Sequence, residues 1–252
     1  MRSKLIDYLA ETNQYYSQTK LQDPRYSTPY PNAEEATRCA LILEYLGEIR
    51  QHYTRRGTTP RILDVGCGRG WLTNLMSVLG DCEGIEPAGG AIEYAKELFP
   101  NILFHTGTID DLLNSPGFVT YDIIVSSEVI EHVPWAHKKR FVQELRAALQ
   151  SNGHCIITTP RAELFKAYCR TGFELQPIEE WLTEKELKSL FIECGFTVVK
   201  HDRVRPRRIT NLNRALLSSR FRAILSLLRI ESLIPLLDYV ASFYQVWWFK
   251  KG

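Results

Sequence analysis

The chain has 252 residues, of which 44% are hydrophobic and 24% charged, and its formal net charge is +2. These values are typical of an ordinary soluble globular protein with one α/β domain plus additions, or at most two small domains. No stretch approaches the length of a membrane span, and there is no internal repeat or low-complexity tract.

The six cysteines are scattered through the chain and form no C-x-x-C pair. Several lie in apolar patterns, so the sequence favours free buried thiols in a reducing compartment over disulfides or a zinc site. The N-terminus contains no long apolar run of the kind that a secretory signal needs. We therefore expect a cytoplasmic protein.

The sequence pattern of the N-terminal part of the chain predicts helices. An amphipathic pattern covers about residues 1–20 and ends near Tyr15 and Tyr16, with Leu5, Ile6 and Leu9 on its apolar side. A segment with three prolines follows and is expected to be irregular. A second helix is predicted for Glu34–Arg50.

The stretch Arg61–Gly70, RILDVGCGRG, is the strongest signal in the sequence. It begins with an apolar run typical of a buried parallel strand, which contains Asp64 near its end. Glycines follow at every second position, and a helical pattern starts at Trp71. Glycine permits a sharp turn and a close approach of the backbone to a ligand, and a helix start offers unpaired N–H groups. The glycines are Gly66, Gly68 and Gly70.

An acid ends the second predicted strand. Glu86 closes the sequence CEGIE, at the distance where a βαβ unit places the acid that binds a ribose. A dinucleotide site would need G-x-G-x-x-G around a pyrophosphate, whereas this chain has G-x-G-x-G. Asp64 directly before the turn would repel a pyrophosphate but suits a ligand with an ammonium group. The pattern therefore favours a nucleoside with an amino group and no phosphate.

Further strands are predicted along the chain for Ile102–His105, Tyr121–Ser126, His154–Thr159, Phe196–Lys200 and Tyr244–Lys250. The fourth strand is followed at once by the polar residues Ser127 and Glu128, and then by His132. In open parallel sheets, ligands bind at the carboxyl ends of the strands near the point where the strand order reverses. We therefore expect these residues to border the reactive part of the ligand.

Three motifs in this order resemble one family: LDVGCGRG from Leu63, GIEP from Gly84 and YDIIVSSEVIEHVP from Tyr121. They are similar to the class I S-adenosylmethionine-dependent methyltransferases, in the small-molecule branch that includes ubiquinone-biosynthesis-type O-methyltransferases. The resemblance covers about residues 60–200. It implies an α/β fold with a Rossmann-like, doubly wound sheet of seven strands, mostly parallel, with the last strand antiparallel.

The same resemblance implies a division of the chain into three parts. Residues 1–56 would form an N-terminal helical lid, and residues 57–202 would form the methyltransferase core. Residues 203–252 would supply a helical insertion and the last strand of the sheet. A lid tyrosine, Tyr15 or Tyr16, would reach the cofactor or the reaction centre; the alternative for either tyrosine is surface packing.

The cofactor implied by the resemblance is S-adenosylmethionine, which leaves S-adenosylhomocysteine as product. The residues expected to bind it are Asp64, Gly66, Cys67, Gly68, Glu86, Thr108, Ile109, Asp110, Ser127 and Glu128. Family members commonly carry an acid where this chain has Thr108, so either Thr108 or Asp110 is the candidate that holds the adenine amino group. The backbone N–H of Ile109 would meet a ring nitrogen. Asp110 and Asp111 could equally cap a helix.

His132 is the candidate catalytic residue. If the acceptor is a hydroxyl, its proton must be removed, and a neutral imidazole has suitable basicity. Its alternative role is to hold the loop by hydrogen bonding, and Glu131 is either its orienting partner or simply exposed. No cluster of carboxylates or histidines at ligand spacing indicates a catalytic metal.

The segment Arg203–Arg229 contains eight arginines and no acid, with leucines and isoleucines at helical spacing. It is expected to form helices inserted before the last strand. Its alternatives are a solvated face over a packed cap, or contact with an anionic acceptor or an acidic membrane surface.

Two function classes follow from the sequence. The first is methylation of a small molecule, such as a quinone precursor, a natural product or a sugar, with Trp181 either in the acceptor pocket or in the core. The second is an RNA-directed methyltransferase that uses the arginine-rich insertion to bind phosphates. The motifs of adenine and cytosine methylation are absent from the sequence, which disfavours RNA, and nothing indicates DNA. A third possibility is a protein that binds the cofactor but does not catalyse methyl transfer. The only feature that favours it is Thr108, at a position where family members commonly carry an acid.

Overall fold

The computed structural model describes residues 14–16, 23–24, 27–170, 176–206 and 218–252. Within these ranges, a seven-stranded sheet has the order β3-β2-β1-β4-β5-β7-β6. β7 runs antiparallel to β5 and β6, and the remaining neighbours are parallel. The strands are β1 Arg61–Val65, β2 Asp81–Glu86, β3 Leu103–Thr106, β4 Tyr121–Ser127, β5 Leu149–Pro160, β6 Phe196–Pro206 and β7 Ser242–Lys251.

Helices cover both faces of the sheet and connect its strands. In chain order they are α1 Ala33–Thr54, α2 Trp71–Met76, α3 Gly89–Leu98, α4 Ile109–Leu113, α5 Trp135–Ala148, α6 Phe165–Cys169, α7 Glu184–Glu193, α8 Ser219–Leu227 and α9 Ile234–Ala241. This is the Rossmann-like, doubly wound α/β sheet that the sequence predicted, and that prediction is confirmed. α8 and α9 form the expected insertion before the last strand.

Two hydrophobic cores lie on opposite faces of the sheet, because successive side chains of a strand point to opposite faces. In β4, Ile123 belongs to the core under α1 and α2, whereas Ile124 belongs to the core under α5 and α7. Trp248 and Phe249 divide in the same way in β7. The central strands are therefore apolar on both sides, which explains their nearly continuous hydrophobic sequences.

α1 is held to the sheet by one apolar face and by hydrogen bonds to β6. Asn32 and Glu35 form a capping box at its start, where the Asn32 side chain accepts from two backbone N–H groups. Ile42, Tyr45 and neighbouring residues of the same face are buried against the strands. The Tyr45 hydroxyl donates to Asp202 Oδ2 at 2.7 Å, which ties α1 to β6.

Some predicted boundaries differ from the structure. β6 continues to Pro206, whereas the apolar pattern ended at Lys200, because β7 pairs with it as far as Pro206↔Ser242. Arg203 therefore lies in a strand, where it donates to both carboxylate oxygens of Glu184 at 2.5 and 2.6 Å, and not in the insertion. Of the first predicted helix, only residues 14–16 are among the described residues.

No helix in the described part of the chain is both long enough and apolar enough to cross a membrane.

The stacked aromatic rings under α7 are expected to contribute strongly to the stability of the fold. Phe249 is fully buried and stacks on Phe191, with ring centroids 4.2 Å apart. Phe249→Ala should lower the free energy of unfolding by about 3–5 kcal/mol, since it removes a buried ring and leaves a cavity. Val78→Ala, at a side chain that is 74% exposed, is the matched control and should change it by less than about 0.5 kcal/mol. Urea denaturation measures the free energy of unfolding of both variants. Equal denaturation midpoints for the two variants would contradict the assignment of Phe249 to the core.

Candidate active site

A cavity of about 280 Å³ opens at the carboxyl ends of β1, β2 and β4. It extends from the glycine turn after β1 to an aromatic wall formed by α6 and the start of β7. Most of the site residues predicted from the sequence line it: Asp64, Gly66, Cys67, Gly68, Glu86, Ser127, Glu128 and His132. The structure thus brings together residues that lie up to 68 positions apart in the chain, counted from Asp64 to His132.

The glycine turn has a backbone that other residues would strain. Gly66 and Gly68 have φ values of +76° and +51°, in the left-handed region. A Cβ on Gly66 would also lie 2.3 Å from Cγ2 of Val129, so there is no room for a side chain. The turn therefore presents bare backbone to the cavity.

Glu86 is the acid at the end of β2, and it is held by backbone donors. Its Oε2 accepts from the N–H of Gly68 at 3.2 Å, and its Oε1 accepts from the N–H of Ala88 at 3.0 Å. The side chain is nearly buried yet lines the cavity. A carboxylate has about four lone-pair sites, so each oxygen can still accept a hydrogen bond from a ligand hydroxyl.

Asp64 lies in β1 directly below the turn. It is buried, and its Oδ2 accepts from the hydroxyl of Thr73 at 2.7 Å. Burial raises the pKa of Asp64 to about 7, and the nearby charge of Glu86 adds to this rise. Two acids therefore line this part of the cavity, and Asp64 gains a proton more readily than an exposed aspartate would.

Glu128 occupies a strained backbone position at the end of β4. Its φ is +59°, which non-glycine residues adopt at a cost and which often marks a functional site. Thr158 of β5 holds it there: the Glu128 N–H donates to the Thr158 carbonyl at 3.0 Å, and the Thr158 hydroxyl donates to Glu128 Oε1 at 2.8 Å. Ser127 donates in turn to the Thr158 hydroxyl at 2.8 Å. Sequence reasoning missed Thr158, which belongs to a different strand.

His132 sits in a 3₁₀ turn, Ile130–His132, at the edge of the cavity. Its Nδ1 is 2.8 Å from the carbonyl oxygen of Ile178. A carbonyl can only accept, so Nδ1 carries the hydrogen and Nε2 is the basic nitrogen of the neutral ring. The imidazole is therefore both pinned and basic, and the two roles weighed from the sequence are compatible.

Lys138 of α5 holds the same turn from below. Its side chain is buried, and Nζ donates to the carbonyl of Val133 at 2.7 Å and to that of Ile130. Burial lowers the pKa of Lys138 to about 8. The lysine thus satisfies two buried carbonyls of the turn. No motif in the sequence pointed to it.

Glu131 is a buried acid beside this histidine, not an exposed one. Its Oε1 is 4.0 Å from Nε2 of His132, and its Oε2 accepts from the Thr159 hydroxyl at 2.9 Å. Burial, together with the nearby charge of Glu128, raises the pKa of Glu131 well above its ordinary value.

Arg69 ties the segment before α1 to the glycine turn. It forms two hydrogen bonds with the carboxylate of Glu35, at 2.9 and 2.8 Å. It also donates to the carbonyls of Thr28 at 2.7 Å and Tyr30 at 3.0 Å. This buried arginine holds residues 28–35 beside the cavity. The glycine pattern in the sequence did not indicate this role of Arg69.

Aromatic rings form the far wall of the cavity. Trp181 packs between Tyr168 and Phe243, with ring centroids 5.1 and 5.3 Å away. Tyr244 completes the wall and carries the Arg38 guanidinium 4.4 Å from its ring centroid. Trp181 thus belongs both to the cavity and to a small core, so the two alternatives for this residue coincide.

Tyr16 also lines the cavity. Its ring centroid is 6.4 Å from that of His132, and its hydroxyl donates to Gln176 Oε1. Burial, with the nearby charges of Glu86 and Glu131, raises its pKa. Of the two tyrosines considered from the sequence, Tyr16 is the one that contacts the site.

Three of the expected cofactor residues do not line this cavity. Thr108 caps α4, where its hydroxyl accepts from the Asp111 N–H at 3.3 Å, so the helix-cap role falls to Thr108 and Asp111. Ile109 is buried in the core. Asp110 is paired with Arg140 at 2.8 Å.

Comparisons with known proteins agree with this architecture. A family model described as a methyltransferase domain matches residues 32–201. The ubiquinone biosynthesis O-methyltransferase of Rickettsia akari is 35% identical over 123 residues, which cover 46% of this chain and 47% of that protein. A probable S-adenosylmethionine-dependent methyltransferase of Mycobacterium tuberculosis is 27% identical over 152 residues, which cover 60% and 54%. The matches therefore span about half the length of these curated relatives.

Solved structures show the same fold at low sequence identity. The magnesium protoporphyrin IX methyltransferase of Synechocystis PCC 6803, with bound S-adenosylhomocysteine, has a TM-score of 0.61 and 14% identity, and the match covers 98% of this chain and 100% of that one. An N-methyltransferase of Bradyrhizobium japonicum WM9 has a TM-score of 0.59 and 15% identity, over 98% and 97% of the two chains. Since the family model matches well over half of the sequence, the chain belongs to the methyltransferase-domain family, in the class I S-adenosylmethionine-dependent form that its three motifs resemble.

Proposed function

We propose that this protein transfers a methyl group from S-adenosylmethionine to a hydroxyl of a small-molecule acceptor, such as a quinone precursor, a natural product or a sugar. The observation that carries this proposal is that one cavity is lined both by Glu86, an acid of the type that binds a ribose, and by the histidine His132. The relatives named ubiquinone biosynthesis O-methyltransferase support a hydroxyl as the acceptor.

The residues present fit this cofactor. Glu86 offers two oriented oxygens to the pair of ribose hydroxyls, and the bare backbone of Gly66 and Gly68 leaves room for a nucleoside. The acids Asp64 and Glu86 suit a cationic ligand and disfavour a pyrophosphate. Cys67, Ser127 and Glu128 would complete the binding surface.

Thr108, Ile109 and Asp110 are proposed for the adenine end. They directly follow β3, which pairs with β2 in the register Glu86↔Thr106, so they lie next to the strand end that carries Glu86. The backbone N–H of Ile109 is proposed to donate to a ring nitrogen of the adenine. The side chain of Thr108 or Asp110 is proposed to bind the adenine amino group.

S-adenosylmethionine supplies a methyl group activated by the positive charge on its sulfur. The task of the protein is therefore to align the acceptor, to exclude water and to accept one proton. Nε2 of His132 is the proposed proton acceptor, and the hydrogen bond from Nδ1 to Ile178 keeps the ring in the required tautomer. Glu131, whose Oε1 lies 4.0 Å from Nε2, is proposed to orient the imidazole.

The acceptor end favours a small and uncharged aromatic molecule. Trp181, Phe243 and Tyr244 offer ring faces and edges for stacking, with Glu131 and Glu179 beside them. The carboxylate of Glu179, which accepts from the Trp181 indole N–H, would repel the phosphates of RNA and the anionic groups of a charged acceptor. The RNA-directed alternative therefore has less support than the small molecule.

The cofactor assignment predicts a loss of affinity for Glu86→Ala. The variant removes the acceptor of both ribose hydroxyls, and hydrogen bonds to a charged group are worth about 1.5–3 kcal/mol, so we expect binding roughly 10–100-fold weaker. Glu93→Ala, at an exposed position of α3, is the control. Isothermal titration calorimetry with S-adenosylmethionine checks both variants. Undiminished affinity of Glu86→Ala would contradict the site.

The activity itself is tested with methyl-labelled S-adenosylmethionine. The purified chain should transfer label to phenols or other neutral hydroxyl compounds in an acceptor panel. The panel also contains amines, carboxylates and RNA, which separate the alternatives. Label recovered only in RNA would favour the RNA-directed function, and label only in amines would overturn the hydroxyl acceptor.

The role of His132 predicts a split between turnover and cofactor binding. With any acceptor found in the panel, His132→Ala should lower kcat by about 10²–10⁴, the usual contribution of a general base. Its affinity for S-adenosylmethionine should stay within a factor of about two, because Glu86 and the glycine turn are unchanged. His52→Ala, at an exposed histidine of α1, serves as the control. A kcat equal to that of the unaltered protein would remove His132 as the base.

A further inference from the structure

The insertion formed by α8 and α9 exposes an unusual amount of apolar surface. Among the described residues, half of the large hydrophobic side chains that are exposed fall within residues 224–240. They are Ile224, Leu227, Leu228, Ile230, Leu233, Leu236, Tyr239 and Val240. Leu227 is 84% exposed, which is the largest value among the exposed large hydrophobic residues of the described ranges. Such a concentration of exposed apolar side chains in one segment often marks an interaction site.

A few contacts hold α8 and α9 to each other and to the sheet. Leu225 on the inner side of α8 is buried, and Arg222 pairs with Asp238 of α9. The Arg203 guanidinium lies over the Tyr239 ring, 4.3 Å from its centroid, and ties α9 to β6. The helices are therefore held in place by these contacts, while four of their leucines, Leu227, Leu228, Leu233 and Leu236, are exposed.

Basic side chains lie on or directly beside this apolar surface: Arg220 is in α8, and Arg229 follows its end. Arg220, Ile224, Leu227 and Leu228 are spaced as i, i+4, i+7 and i+8, so they share one side of α8. Arg220 and Arg229 are exposed, and neither forms an ion pair with another residue in the described ranges. An apolar face that carries arginines is typical of a helix that lies in the interface of an anionic membrane.

The exposed apolar surface of α8 and α9 lies near the aromatic wall of the cavity. α9 runs directly into β7, whose second and third residues, Phe243 and Tyr244, line the cavity wall. The hydroxyl of Ser242 donates to the carbonyl of Asp238 at 2.8 Å, which links the start of β7 to α9. A surface on which α8 and α9 rest would therefore lie close to the acceptor end of the cavity.

We propose that α8 and α9 form a peripheral docking surface for an anionic lipid bilayer. The exposed leucines and isoleucines enter the boundary between headgroups and acyl chains, and Arg220 and Arg229 contact the lipid phosphates. A second copy of this chain is a less suitable occupant. Two-fold pairing through this face would bring identical arginine-bearing surfaces together and oppose like charges.

The experiment is vesicle flotation of the full chain. One vesicle set contains phosphatidylcholine and phosphatidylglycerol, and the other contains phosphatidylcholine alone. The chain should float with the anionic vesicles at low salt, and the bound fraction should fall as salt rises because salt screens the arginines. Binding to neutral vesicles should be weaker. Absence of flotation with the anionic vesicles at low salt would overturn the proposal.

Two variants and one control identify the surface. The double variant Leu227→Glu with Leu228→Glu should lower the bound fraction at least tenfold, and Arg220→Ser with Arg229→Ser should abolish the preference for anionic vesicles. The control Val78→Glu changes an exposed side chain in the turn that follows α2, outside the insertion. It should bind the vesicles as the unaltered protein does. Thermal melting confirms that each variant is folded. Equal flotation of the leucine variant and the control would contradict the assignment.

Analytical ultracentrifugation without vesicles distinguishes the remaining occupant. A monomer that floats with anionic vesicles supports the lipid surface. A dimer that Leu227→Glu with Leu228→Glu dissociates, together with no flotation, would assign the face to a second copy and overturn the proposal. None of these measurements requires methyl transfer, so a failure of the proposed activity does not affect them.

Discussion

The site depends on the parallel pairing of β1 with both β2 and β4. Since β1 lies between them, the chain leaves β1 towards one side of the sheet and returns later on the other. At that reversal, the connections diverge and leave a crevice at the carboxyl ends of the strands. Asp64 and the glycine turn, Glu86, and Glu128 each follow or end one of these three strands, so the cavity is a direct consequence of the strand order.

A shell of buried polar side chains gives this crevice its shape. Arg69 holds the segment before α1, Lys138 holds the turn with His132, and Thr158 holds Glu128. Each satisfies groups that would otherwise be buried without hydrogen bonds, which is costly. The side chains that face the cavity are therefore oriented before any ligand binds, as preorganised binding and catalysis require.

The C-terminal part connects this crevice to the protein surface. β7 is inserted between β5 and β6, and its first residues form the aromatic wall while its last residues fill both hydrophobic cores. The segment that contains α8 and α9 connects the end of β6 to the start of β7. Because β6 and β7 are antiparallel neighbours, both of these strand ends lie at the same end of the sheet as the cavity. The position of the insertion near the acceptor end thus follows from the direction of one strand.

The sequence by itself determined the order of strands and helices, the glycine turn and the acid at the end of β2, because periodicity and the φ requirement of glycine are local properties. It also predicted eight of the residues that line the cavity, from the glycine turn to His132. It could not determine which distant side chains hold them. Arg69 with Glu35, Thr158 with Glu128, and His132 with Ile178 meet only after the sheet has formed, and such pairs leave no periodic signal. The tertiary structure likewise decided the length of β6, since its polar second half is a strand only because β7 pairs with it.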